Sequence, residues 1–106
     1  MDVSIKNISL PQNKIADFCR RWKINELALF GSVLRSDFGP DSDLDILVTL
    51  APEADWSLFD HVRMVEELEH LLERKIDLLS RRAVEQSHNE PRRREILDTA
   101  QVVYVS

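Results

Sequence analysis

The stretch FGSVLRSDFGPDSDLDILVTL, residues 30–50, decides the reading of this chain. Its second half alternates as a β-strand over residues 43–50: Leu44, Ile46 and Val48 fall on one side, Asp43, Asp45 and Leu47 on the other. Asp43 and Asp45 stand where Val or Ile would suit a pleated strand better, so their presence asks for a use. Positions i and i+2 project from the same strand face with α-carbons roughly 6.6 Å apart. Two carboxylates so placed repel each other when bare and can converge on one or two divalent cations. Hard oxygen donors with no nearby His or Cys favour Mg²⁺ or Mn²⁺ over zinc. Alone, an Asp-x-Asp pair is also what a solvated sheet face presents.

The first half of the stretch adds to that pair. ELALFGS, residues 26–32, is expected as a short strand running into a turn, so Gly31 and Ser32 follow the apolar run ELALF and precede VLRS, a candidate first helical turn. Amide groups at such a turn can bind phosphate oxygens, glycine permits close approach, and the Ser32 hydroxyl adds a donor. A loop rich in Gly, Pro, Asp and Ser spans residues 36–42 and returns the chain to the acidic pair. One half suits a polyphosphate and the other its metal ions.

Outward from this segment, the periodicity predicts a helix over residues 11–22, with Pro11 at its first position and Ile15, Phe18 and Trp22 on one face. A longer helix is expected over 56–74, with Asp55 as N-cap and an apolar stripe of Phe59, Val62, Val65, Leu68 and Leu72. KIDLLS, 75–80, reads as a short strand, residues 81–98 as helical with a break near Pro91, and QVVYV, 101–105, as a final edge strand. Strands separated by helices make an α/β (α+β) arrangement, a small mixed β-sheet flanked by helices. Asp77 interrupts the apolar run of the 75–80 strand. If that strand lies beside 43–50, Asp77 shares a face with Asp45; otherwise it is an edge residue turned to water.

The whole chain sets limits. Its 106 residues suit one domain over 1–106, and 43% apolar with 31% charged residues is ordinary for a globular fold. No apolar run approaches the roughly 20 residues of a membrane span, and the sequence opens on no signal-peptide pattern. Cys19 is the single cysteine, expected as a helix-packing residue, which excludes a disulfide framework and fits a reducing cytoplasm. A net charge of −5 argues against a basic nucleic-acid surface, so direct DNA binding is not expected. Positive charge gathers locally at Arg20–Lys23, Arg74–Lys75, Arg81–Arg82 and Arg92–Arg94, as solvated helix ends or as an edge facing phosphate or a partner. His61 and His70 lie nine positions apart, off metal-ligand spacing, and Trp56 reads as a core or rim aromatic.

Taken together, GSVLRSDFGPDSDLDILV resembles the signature of the polymerase-beta-like nucleotidyltransferase superfamily: Gly-Ser, a spacer, an Asp-x-Asp strand, then a third acid on a later strand. The short length, Leu34-Arg35-Ser36-Asp37 and the Ser-Asp-Leu-Asp run resemble the minimal nucleotidyltransferase (MNT) domains, prokaryotic proteins often paired as antitoxins with HEPN-domain toxins. The resemblance implies a nucleotidyltransferase fold in which Gly31 and Ser32 bind the phosphates of ATP. It implies that Asp43, Asp45 and Asp77 hold two Mg²⁺ ions, with Asp77 also able to help deprotonate an acceptor hydroxyl. Arg35 either contacts phosphate or pairs with Asp37 or Asp41.

The chemistry implied is in-line attack of a hydroxyl on the α-phosphorus with pyrophosphate leaving. For the antitoxin branch the acceptor is a tyrosine of the HEPN toxin, held in a hetero-oligomer. Adding AMP there places a bulky anion near the toxin's RNA site. The alternative is an MNT-fold antitoxin that neutralises by docking alone, for which a metal triad has no use.

Overall fold

The computed structural model describes residues 2–5, 8–36, 38–39 and 41–106. Asp37, one of the partners considered for Arg35, lies outside the described residues. The elements run β1 (Asp2–Ile5), β2 (Ile8–Pro11), α1 (Gln12–Arg21), β3 (Ile24–Phe30), a 3₁₀ turn (Gly31–Leu34), β4 (Leu44–Leu50), α2 (Leu58–Leu72), β5 (Ile76–Ser80), α3 (Arg81–Glu85), α4 (Glu90–Thr99) and β6 (Gln101–Val105). The strands β1 and β2 form an antiparallel pair, and a second sheet has the order β5-β4-β3-β6. In that sheet β4 and β5 are parallel while β3 runs antiparallel to both β4 and β6, so the sheet is mixed and β6 is an edge.

The alternation in β4 sorts the protein into two layers. Leu44, Ile46 and Val48 join Leu27, Leu29, Ile76 and Leu78 in the larger core, which is closed by Ile15, Phe18 and Cys19 of α1 and by Met64 and Leu68 of α2. Leu47 faces the other way, where Ala28 and Phe30 pack under Val84 of α3 and Ile96 of α4. Asp43, read from the sequence as the first strand residue, stands one position before β4 begins at Leu44, while Asp45 belongs to this second, thinner side. Two short helices cover it only in part, so polar strand positions there stay reachable from outside.

Helix boundaries follow local chemistry. Pro11 is the N-cap of α1 and not its first helical residue, with φ −73. Arg20 and Arg21 occupy the last turn, where cations complement the helix dipole. The α2 helix starts later than the Asp55 reading: Ser57 is the N-cap, in a reciprocal box with Asp60. Its stripe is also corrected, since Phe59 is 83% and Val62 48% exposed. Steps of three residues lose about 60° each at ~100° per residue, so the nine residues from Phe59 to Leu68 turn the side chain to the opposite face. Met64, Val65, Leu68, Leu71 and Leu72 make the buried stripe instead. Trp56 is the rim aromatic expected: its Nε1 donates to the Trp22 carbonyl at 2.8 Å and the two rings meet edge-on at 5.2 Å.

Residues 81–98 split as expected, but the break is the 86–89 segment. Pro91 sits in the first turn of α4, where its missing N–H costs nothing, and Asn89 caps that helix. Among the described residues no helix is long and apolar enough to cross a membrane.

Candidate active site

The β3–β4 hairpin and the parallel β4–β5 pair assemble the acidic residues. Asp45 is in register with Phe30 on one side and with Asp77 on the other. Side chains paired across neighbouring strands project to the same face, so Asp77 joins Asp45 on one side of the sheet. Both Asp43 and Asp77 are exposed, whereas Asp45 is partly buried. Burial pushes the Asp45 carboxyl up from its usual range; the Ser32 amide opposes this, Asp77 and Asp43 add to it, and Arg92 offsets part of it. Four residues from four separate segments therefore act electrostatically on one carboxylate.

The turn beside them is more tightly coupled to the acids than its sequence suggested. Gly31 has φ +72, in the left-handed region that favours glycine, and a β-carbon placed there would lie 2.2 Å from Asp45 Oδ2. Glycine is thus needed to make room for Asp45. The Ser32 amide donates to Asp45 Oδ2 at 3.4 Å, and the Ser32 hydroxyl donates to the Asp43 carbonyl at 3.1 Å. To serve a phosphate, that hydroxyl must rotate away from Asp43. VLRS does not begin an α-helix: the turn is four residues of 3₁₀ geometry, and Arg35 is already extended at φ −102 and ψ 156. Any phosphate binding here would rely on individual N–H groups and side chains, without a helix dipole behind them.

The loop that delivers Asp43 is clamped by Arg74. Its Nη1 donates to the carbonyls of Ser42, at 3.0 Å, and Gly39, at 3.4 Å, and its guanidinium lies 4.5 Å from the Phe38 ring centroid. The Leu44 amide donates to the Lys75 carbonyl at 2.9 Å, so the starts of β4 and β5 are pinned together directly before Asp45 and Asp77.

Basic clusters left open by the sequence divide accordingly. Arg74 holds the loop. Arg81 bridges Thr49 and Glu26, Arg93 donates to the Ser87 carbonyl, and Arg94 pairs with Glu90 one turn away. Arg92 differs. It lines a cavity of about 240 Å³ with Gly31, Arg35, Asp45, Glu95 and Thr99. The sequence reading did not select Glu95 or Thr99, although the 92, 95, 99 spacing marks one helical face.

As they stand, no three Asp, Glu, His or Cys side chains among the described residues form a metal cage. This arrangement still suits Mg²⁺, which is usually bound by one or two carboxylates together with substrate phosphates and water. Asp45 and Asp77 on one sheet face, with Asp43 just before β4, would be the carboxylates to hold the ion, and the exposed Asp43 and Asp77 have rotameric freedom to adjust.

Residues 12–103 match the nucleotidyltransferase domain family. Two Methanocaldococcus jannaschii proteins, provisionally named protein adenylyltransferases, are similar to the chain. One is 34% identical over 74 residues, 70% of this chain and 77% of the relative. The other is 31% identical over 64 residues, 60% of this chain and 64% of the relative, so that match spans just under two thirds of the relative's length. Among solved structures, a provisionally assigned minimal nucleotidyltransferase superposes with a TM-score of 0.64 at 31% identity, over 84% of this chain and 85% of that one. A toxin–antitoxin structure with AMP-PNP has a TM-score of 0.69 at 21% identity over 92% of this chain and 75% of that one, a likeness of fold. Because the family match runs from α1 into β6 and takes in the acids and the turn that touches them, this chain belongs to the nucleotidyltransferase domain family.

Proposed function

We propose that the protein is a Mg²⁺-dependent protein adenylyltransferase that moves AMP from ATP to a tyrosine of a HEPN-domain toxin in the cytoplasm, and so acts as its antitoxin. The observation that carries this reading is the Asp45–Asp77 register, with Asp43 one residue before β4 and near enough to act on the Asp45 carboxyl, and the Gly31–Ser32 turn against Asp45. The names of the two archaeal relatives support protein adenylylation. The toxin as partner draws on a structural neighbour described as a tri-AMPylated Shewanella oneidensis HEPN toxin in complex with an MNT antitoxin.

In this reading Gly31 and Ser32 offer amides and a hydroxyl to the β- and γ-phosphates. Arg35 and Arg92, which line the same cavity, offset their charge. Mg²⁺ held by Asp43, Asp45 and Asp77 would supply charge neutralisation for the entering and departing oxygens. The acceptor oxygen bonds to the α-phosphorus, the bond from that phosphorus to the β-phosphate bridge breaks, and pyrophosphate leaves. Asp77 would take the hydroxyl proton.

Neutralisation by docking alone is a second reading, favoured by the exposed Leu58 and Phe59 at the start of α2, at 80% and 83%. Intact-mass analysis separates the two. Incubating the partner protein with Mg²⁺ and ATP is expected to add AMP-sized increments, abolished by Asp43→Asn or Asp45→Asn. If those variants neutralise the toxin as well as wild type, docking is the mechanism and the transfer reading is lost.

A further inference from the structure

A second hollow lies on the same sheet face, on the Asp77 side of Asp45. It measures about 210 Å³ and is lined by Leu79, Ala83, Val84 and Ile96, with Arg92, Arg93 and Ser87 around them. Arg92 and Ile96 also line the cavity that contains Asp45, so the two spaces adjoin. Leu79 follows Asp77 by two residues on β5 and projects from the same face, with α-carbons ~6.6 Å apart. The function proposed above leaves this hollow unused.

Building on that reading, we infer that the hollow is the acceptor subsite, taking the ring of a tyrosine presented by an acidic segment of the partner protein. Three features choose this occupant. The hollow adjoins the cavity that receives the phosphates without being part of it, and its volume of about 210 Å³ has room for one side chain. Its walls are mostly apolar, which rewards an aromatic ring and gives a serine side chain nothing to fill. Arg93, which spends one guanidinium N–H on the Ser87 carbonyl, complements an acidic neighbour while Arg92 faces the phosphates, and the separation along β5 matches a ring seated at Leu79 with its hydroxyl reaching toward Asp77. The phenol oxygen then bonds to the α-phosphorus, pyrophosphate leaves, and the proton passes to Asp77.

The test uses the full chain labelled with ¹⁵N and three short peptides: tyrosine flanked by glutamates, the same peptide with phenylalanine, and tyrosine flanked by lysines. The glutamate-flanked tyrosine peptide is expected to shift the amides of Leu79, Ala83, Val84 and Ile96, and the lysine-flanked one to bind at least about tenfold more weakly. Glutamate-flanked phenylalanine should shift the same amides, since the ring supplies the contact, but should accept no AMP. Ala83 is exposed, so Ala83→Trp fills the hollow from its rim, with Ala83→Leu as a smaller replacement should the first not fold. Either is expected to weaken peptide binding by about tenfold or more, as overfilling a packed space does, while AMP-PNP with Mg²⁺ still binds. Transfer from ATP to the tyrosine peptide at the wild-type rate in a folded Ala83 variant overturns the subsite and leaves the enzyme standing. Shifts at Leu79 and Val84 caused by AMP-PNP alone assign the hollow to the nucleotide base and also overturn it. Failure of the wild-type protein to modify any acceptor removes the enzyme reading and the acceptor role with it.

Discussion

Replacing Gly31 with alanine is expected to injure the protein through two separable routes. The first is backbone strain: an L-residue at φ +72 costs roughly 1–2 kcal/mol in the left-handed region. The second is the added β-carbon, which would sit 2.2 Å from Asp45 Oδ2 and 3.1 Å from its Cγ, but 3.5 Å from its Cβ. A carboxylate can swing aside, so this contact is expected to cost on the order of 1 kcal/mol, about the cost of an off-rotamer side chain. It also moves Asp45 from its place beside Asp77. In an Asp45→Ala background the conflicting oxygen is gone and only the ordinary 3.5 Å contact remains. Urea unfolding of the four proteins of the cycle measures the coupling directly. Gly31→Ala is expected to cost about 2–3 kcal/mol alone and about 1–2 kcal/mol with Asp45→Ala, the remainder being the coupling. Equal costs in the two backgrounds would refute the claim that glycine is present to admit Asp45, leaving backbone strain as the whole reason.

Asp77 is exposed, so Asp77→Asn should leave the unfolding free energy measured in urea within the usual scatter of surface changes, about 0.5 kcal/mol, while AMP transfer falls on the order of a hundredfold. A variant that unfolds much earlier but transfers normally would make Asp77 a structural residue. Without metal, Asp45 has a raised carboxyl pKa, so the native state holds this proton more tightly than the unfolded chain. Its contribution to stability therefore declines as pH rises from roughly 4 through the raised value and is level above it. Asp45→Asn should flatten that component and be no less stable than wild type at neutral pH; a difference curve of opposite slope would contradict the burial argument. Cys19 is fully buried and its thiol is pushed up to about 12, so a thiol reagent should label it only at the rate of unfolding. Rapid labelling under native conditions would show that α1 opens locally.

Sequence alone determined the strand that matters. In β4 the period of two separates Leu44, Ile46 and Val48 from Asp45 and Leu47 whatever the rest of the chain does, because successive side chains must alternate. The spacing of Gly31 and Ser32 from that strand was equally legible. The α2 stripe was misread because an i+3 ladder drifts around the helix, and only packing against the sheet showed which residues of α2 are buried. Tertiary structure also decided what lies near Asp45. Parallel pairing set Asp77 opposite it, 32 positions away in the chain, and α4 brought in Arg92 from beyond that. No local pattern carries such information, since a strand's partner and its register are chosen by the burial of a whole sheet face. The role of Gly31 was legible as a need for space, but what occupies that space, the Asp45 carboxylate, is fixed by the hairpin register.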